Sequence, residues 1–341
     1  MADGKHSANT RPASLKLCTR VAFSPDQVDW PRSPSRPGCF TCTRHQVDRS
    51  GTVSAGGWYG MPNVTNDGVF PGGPLRWILL PFQLTGYGWW LRVINHRSRK
   101  PIVGTCDADV SLASHGVRIR TVWKTIETIG RGVERPRRVI LWLADESAVR
   151  KPPRTLRRLV RRGLEINHCG DFGPHNKYFP YVMAQEPTRT LVTADDDVYY
   201  PRTWLSRLVA AHRDGEVTAY RARIRSDAPY AGWPMCTTSE PSDRVFATGV
   251  SGVAYPPELL SVLRRRGDAF AAVCPHADDV WLHFAAVANG IPIRQVSDVA
   301  ANWWPQLGVA GIGLWAENVL HHANDLVIEP TRRAWLDVKR A

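Results

Sequence analysis

The stretch Leu191-Val-Thr-Ala-Asp-Asp-Asp-Val-Tyr-Tyr-Pro201 decides the fold. Leu191, Val192 and Thr193 follow the polar turn Glu186-Pro-Thr-Arg189 and read as a buried strand. Pro201 suits the first turn of a helix, and Trp204, Leu205, Leu208 and Val209 give that helix an apolar face. Three consecutive carboxylates therefore close a strand. Such a cluster repels itself unless a cation shares the charge. Hard oxygen ligands at a strand end suit Mg2+ or Mn2+, which commonly arrive with substrate phosphates. A solvated acidic turn that caps the next helix would account for an Asp pair; three Asp favour the cation.

Upstream, Ile102-Val-Gly and Val110-Ser-Leu-Ala113 read as one interrupted strand or two short ones. Val122, Trp123, Ile126 and Ile129 form a helical stripe that ends at Gly130. Arg138-Val-Ile-Leu-Trp-Leu143 is a continuous apolar run, as in a strand buried on both faces. A basic helix over Pro153 to Arg162 turns Leu156, Leu159 and Val160 inward, and Leu164 to His168 is the next strand. Gly173-Pro-His-Asn-Lys-Tyr-Phe179 is a loop that leads into a short helix. Alternating strands and helices indicate an α/β domain with a Rossmann-like, mostly parallel sheet, whose ligands bind beyond the carboxyl ends of the strands.

Downstream, Val217-Thr-Ala-Tyr-Arg-Ala-Arg-Ile224 alternates like a strand. Thr248-Gly-Val-Ser-Gly-Val-Ala-Tyr-Pro-Pro257 has glycines that allow close backbone approach and prolines that end a strand. His276-Ala-Asp-Asp-Val-Trp-Leu282 opens a helix with Val280, Trp281, Phe284 and Val287 buried, closing near Gly290. Capping explains one of Asp278 and Asp279 and leaves the other for different work. The segment from Asn302 to Leu326, with His321, His322 and Asn324, reads as a cover over one end of the sheet.

Residues 1–100 read as a largely disordered or irregular extension, residues 101–330 as the catalytic domain, and residues 331–341 as a tail. The first seventy or so are rich in Pro, Ser, Gly, Arg and Thr without a sustained period. Met61 is an alternative start. Cys39-Phe-Thr-Cys42, followed by His45, has metal-like spacing but lacks a second half, so zinc is not expected. Residues 71–100 add short aromatic stretches. The apolar window Leu75 to Leu91 is broken by Pro81, Gly86 and Gly88 and is a poor membrane span. The 7 Cys are irregularly spaced, which argues for reduced thiols in the cytosol. A net charge of +13 favours anionic partners. For the Arg-rich segment 131–162 a solvated face comes first and peripheral contact with anionic membrane, at its inner face, second. No reader motif accompanies the charge, so no nucleic acid is expected.

Taken in order, Val110-Ser-Leu-Ala-Ser114 with Thr121-Val-Trp, Arg138 to Leu143, Gly173-Pro-His-Asn-Lys-Tyr, Val192-Thr-Ala-Asp-Asp-Asp-Val, Thr248 to Pro257 and Ala277-Asp-Asp-Val-Trp-Leu resemble bacterial family 2-like glycosyltransferases of the GT-A fold. The resemblance covers about residues 105–300 and implies transfer of a sugar from a nucleotide-diphosphate donor to an acceptor hydroxyl, in cell-surface polysaccharide or glycoconjugate synthesis. It implies a saccharide or lipid-linked acceptor. It maps the family's Asp-x-Asp onto Asp195 and Asp197 as metal residues. Ser111, Ser114, Asp145, Lys177, Asp195 and Asp196 would line the nucleotide-sugar, and Gly249, Gly252 and Trp303 the acceptor. The base maps onto Asp279, with Asp278 beside it. Metal stabilisation of a departing diphosphate and a carboxylate that deprotonates the acceptor suffice for direct displacement, hence inversion. Three alternatives stand beside it: a haloacid-dehalogenase-type phosphatase with Asp107 as nucleophile, a nucleotidyltransferase, and a non-catalytic polysaccharide- or membrane-binding protein.

Overall fold

A computed structural model describes residues 74–306 and 323–337. Helix α1 (Pro74–Arg97) leads to strand β1 (Cys106–Ser114), a 3-10 turn (Gly116–Arg120) and α2 (Trp123–Gly130). Next come β2 (Pro136–Leu143), α3 (Glu146–Arg150), α4 (Arg154–Val160) and β3 (Leu164–His168). A second 3-10 turn (Gly173–Lys177) precedes α5 (Phe179–Ala184), β4 (Thr190–Ala194), β5 (Val198–Tyr199) and α6 (Trp204–Ala211). The remainder holds β6 (Val217–Ala219), β7 (Ala222–Ile224), β8 (Val245–Ala247), β9 (Val253–Tyr255), α7 (Pro257–Arg266), α8 (Phe270–Val273), α9 (Asp278–Ala288), β10 (Ile293–Gln295), β11 (Trp304–Pro305) and α10 (Ala323–Leu336).

The central sheet has seven strands in the order β10-β6-β9-β4-β1-β2-β3. β1 pairs in parallel with β2 and β4, as do β2 with β3 and β6 with β10; β9 is antiparallel to both its neighbours. The mostly parallel α/β sheet expected from the sequence is therefore observed. Period-two alternation along the strands builds a core on each face. Val110, Leu112, Val139, Leu141 and Val192 pack with Ile126, Ile129 and Trp204 on one side. Ile140, Trp142 and Leu191 pack with Phe270, Trp281 and Phe284 on the other. Parallel pairing gathers the ends of β1, β2, β3 and β4 on one edge, where Ser114 faces Leu143, Leu143 faces His168 and Leu112 faces Ala194.

Several expectations are corrected. The aromatic stretches before residue 100 form one helix, α1, which carries Pro81 inside it. Leu84 and Leu91 are buried in the core with Val122 and Leu156, so residues 74–97 are not irregular. Asn95 Nδ2 donates to Glu127 Oε1 at 2.9 Å, and Arg162 donates to both oxygens of Glu127 at 2.6 and 3.1 Å. The run 217–224 is not one strand. At Tyr220 the chain leaves the central sheet, because Tyr220 N donates to Gly252 O (3.2 Å) and Ala222 N to Gln295 Oε1 (2.9 Å), and β7 pairs with β8. Val160 turns outward, 43% exposed. Pro201 lies before α6, in a turn closed by Trp204 N on its carbonyl at 3.0 Å. Residue 331 begins no tail, since α10 runs through it and buries Trp335. The Cys39–Cys42–His45 motif, Met61, residues 1–73, and His321 and His322 fall outside the described residues. No helix among the described residues is long and apolar enough to cross a membrane.

Glu127 and Arg162 are both buried, so removing one strands the other's charge. Glu127→Ala is expected to lower unfolding free energy by about 3–5 kcal/mol in a denaturant titration. A loss below about 1 kcal/mol would show that water reaches Arg162.

Candidate functional site

Beyond the last residue of β4 successive side chains diverge, because the strand alternates. Asp195 turns toward the layer of α9 and forms an ion pair with Lys177. Asp196 turns to the opposite layer and is buried. There it accepts from Ser114 Oγ at 2.6 Å and from Arg118 Nη1 at 3.0 Å. Arg118 Nη2 also reaches Asp197 Oδ2 at 3.3 Å, so one guanidinium bridges two carboxylates. Burial, then repulsion from Asp195, push the Asp197 carboxyl up to about 6. Tyr200 Oη accepts from Asp195 N at 2.8 Å, and Gln306 N donates to Asp197 O at 2.7 Å, fixing the turn.

Lys177 joins this turn to the second acidic pair. Burial works against its ammonium, but Asp195, Asp278 and Asp279 together hold it above the ordinary lysine range. Its 3-10 turn is fixed from below. Ser111 Oγ donates to Lys177 O at 2.6 Å and accepts from Trp142 Nε1 at 3.0 Å. His175 is buried and stacks on Phe270; its Nε2 donates to Cys274 O at 2.7 Å, and its Nδ1 accepts from Tyr178 Oη at 2.9 Å. Burial pulls His175 down to about 4, so it is a neutral structural pin.

Asp278 and Asp279 open α9, but neither side chain caps it: Ala277 occupies the cap position. The cap role expected for one of the two is thus not observed. Asp279 Oδ1 instead accepts from Gly249 N at 2.8 Å. Burial and the neighbouring Asp278 push the Asp279 carboxyl well above the usual carboxylate range. A Cβ at position 249 would stand 2.9 Å from Asp279 Oδ1, so the glycine is what lets the backbone cradle that oxygen.

Among the described residues no three His, Cys, Asp or Glu side chains form a metal-holding group. A site closed by protein ligands alone therefore does not fit. A divalent ion that takes one or two carboxylates and completes its shell with substrate oxygens does fit. Asp197, partly exposed and in mutual repulsion with Asp195, is the carboxylate with coordination to spare.

Of the residues expected at the site, Ser114, Lys177, Asp195, Asp196, Asp197, Asp278, Asp279 and Gly249 come together. Ser111 lies a layer below, as a support for Lys177. Asp145 stands exposed at the end of β2 and caps α3, accepting from Ser147 N at 2.9 Å and Ala148 N at 3.2 Å. Trp303 Nε1 and Trp204 Nε1 both donate to Ser251 O, at 3.0 and 2.8 Å, beside Gly252. A cavity of about 450 Å³ opens next to Trp303 and Tyr220, and none of the carboxylates lines it. Arg118, His175, Tyr200 and Gln306 were not foreseen. Arg118 and Gln306 lie outside the quoted motifs, while His175 and Tyr200 lie within them.

Neither a protein-family model nor a curated protein matches the chain. Solved structures do. The chain is 13% identical to Staphylococcus aureus TarS 1–349 over 57% of this chain and 59% of that one, with a TM-score of 0.38. It is 14% identical to the Pyrobaculum calidifontis mannosyltransferase PcManGT, solved with GDP-Man and Mn2+, over 78% of this chain and 85% of that one (TM-score 0.41). It is 14% identical to the Anaerococcus prevotii 4-diphosphocytidyl-2C-methyl-D-erythritol synthase over 64% of this chain and 95% of that one (TM-score 0.40). At these identities and TM-scores the likenesses establish no chemistry.

Proposed function

We propose that the chain is a GT-A-type glycosyltransferase that moves a sugar from a nucleotide-diphosphate donor to an acceptor hydroxyl with inversion. The observation that carries this is the position of Lys177, whose ammonium stands in the combined field of Asp195 and the Asp278–Asp279 pair. Two acidic clusters far apart in sequence thereby share one end of the sheet, where ligands of such folds bind. Asp197, with Asp195, would hold Mn2+ or Mg2+, which neutralises charge on the departing diphosphate when bound. Lys177 is placed to move from Asp195 toward a phosphate oxygen. Asp279 is the base: the Gly249 amide orients its Oδ1, leaving the other oxygen for the acceptor proton.

A saccharide or lipid-linked acceptor and a part in cell-surface polysaccharide synthesis are carried forward on the sequence resemblance, a cytoplasmic setting on the cysteine pattern, and peripheral membrane contact on the Arg-rich segment 131–162. The phosphatase alternative loses support. Asp107 lies at the amino end of β1, away from the cluster, 79% exposed and paired with Arg189 at 2.8 Å.

The test is a screen of UDP-, GDP- and other nucleotide sugars for thermal stabilisation and hydrolysis, with and without Mn2+. At least one sugar nucleotide should raise Tm and release nucleoside diphosphate. Pyrophosphate release instead would identify a nucleotidyltransferase, and binding without turnover a non-catalytic protein.

A further inference from the structure

β7 and its flanks carry Arg221, Arg223 and Arg225 at period two, hence on one face. Among the described residues none of the three forms an ion pair. The Arg221 guanidinium also makes no hydrogen bond there, and its Nε is buried without a partner, as is that of Arg225. Arg223 Nη1 donates to Trp233 O at 2.7 Å, and its Cζ stands 5.2 Å from the Tyr230 ring centroid. A guanidinium withdrawn from water is costly unless an anion meets it. Burial first, then the like charge of Arg223, hold Arg221 below the ordinary arginine value.

The stripe begins at the proposed base. Thr248 N and Oγ1 donate to Arg221 O at 3.0 and 3.2 Å, and the next amide, Gly249 N, is the one that holds Asp279. Asp279 lies within electrostatic reach of both Arg221 and Tyr230. Among the described residues it forms no ion pair with Arg221, so the guanidinium lies within the field of the proposed base without being neutralised by it.

We propose that Arg221, with Arg223 beside it, binds an oxyanion of the acceptor, so that the acceptor carries a phosphate or carboxylate group near the hydroxyl that receives the sugar. This rests on the transferase assignment for the word acceptor, but the anion site itself does not. The fork of a guanidinium matches both oxyanions bidentately. Such an anion also orients the acceptor, since it fixes the neighbouring hydroxyl relative to Asp279.

The test uses inorganic phosphate and UDP or GDP as probes on the full chain, read by calorimetry and Tm. Phosphate should bind the wild type and raise its Tm. Arg221→Gln should weaken that binding about tenfold or more and, in phosphate-free buffer, melt no lower than wild type, because it removes an unpaired charge. Arg154→Gln, an exposed arginine on α4, should bind phosphate as wild type does. Glycerol 3-phosphate and glucuronate then separate phosphate from carboxylate as the preferred group. Phosphate bound alike by wild type and Arg221→Gln is an adventitious ion only, and overturns the site while leaving the transferase assignment untouched. Loss of nucleoside-diphosphate affinity in Arg221→Gln would place the residue with the donor and overturn the acceptor role. An Arg221-dependent phosphate site in a protein that turns over no sugar nucleotide would keep the anion site and sink the transferase assignment.

Discussion

Asp279→Asn is expected to lower turnover by about 10²-fold or more while leaving nucleoside-diphosphate affinity within about twofold. Asparagine keeps the shape of the side chain and its acceptor oxygen, so the bond from Gly249 N survives. What is lost is basicity. An acceptor hydroxyl is too weakly acidic to attack unaided, so the loss falls on kcat rather than on donor binding. The wild-type pH profile carries a second signature. Burial and Asp278 raise the Asp279 carboxyl, so the pair keeps a proton at pH values where an ordinary carboxylate is ionised. Activity should therefore climb with pH along an acid limb well above the usual carboxylate range, and Asp279→Asn should abolish that limb. Asp278→Asn should lower the limb, because it removes the repulsion, and should cost far less in turnover. If Asp278→Asn is the inactive variant with normal donor binding, the base is Asp278. Normal turnover in both variants would remove the base from α9 altogether.

The sheet was legible because its central strands are nearly continuous apolar runs, and both cores follow from period two along β1, β2 and β4. Short elements were not legible. β6 and β7 read as one strand because the divergence at Tyr220 depends on bonds to Gly252 and Gln295, residues remote in sequence. α1 was missed although Leu84, Leu91 and Asn95 recur at helical spacing, since Pro81, Gly86 and Gly88 lower local propensity. Tertiary burial and the Asn95–Glu127 bond outweigh that propensity.

At the site, sequence located the carboxylates but not their partners. Three adjacent Asp look alike in a string, yet alternation sends Asp195 to Lys177 and Asp196 to Ser114 and Arg118, two different environments. Arg118 carried no signal, because its neighbours Val117 and Ile119 form only a brief turn without a period. Ser111 and Ser114 looked equivalent as nucleotide contacts. In space one supports Lys177 from beneath and the other holds Asp196.

That division of labour makes Asp197 the second decisive residue. Asp197→Asn is expected to abolish Mn2+-dependent nucleoside-diphosphate binding, a loss of about 10²-fold or more for a ligand of a shared metal. Asp195→Ala should lose less, since the charge of Asp195 is shared with Lys177 in the ligand-free protein and Asp197 remains to hold the ion. A stability readout accompanies it and needs no metal. The folded carboxyl of Asp197 titrates at about 6, above its unfolded range near 4. A raised carboxyl favours the fold in its protonated form. That contribution is fully present below the unfolded value and is lost as pH rises through about 6. Above that pH the ionised Asp197 strains the metal-free fold by on the order of 1–3 kcal/mol, and Asn removes the strain. Asp197→Asn should thus melt higher than wild type at pH 8 in EDTA and nearly level with it at pH 4. Function and stability then oppose each other at one side chain, as expected where like charges are held together for a cation. A variant that keeps EDTA-sensitive donor binding and gains no stability at pH 8 would show that Asp197 does not face the metal.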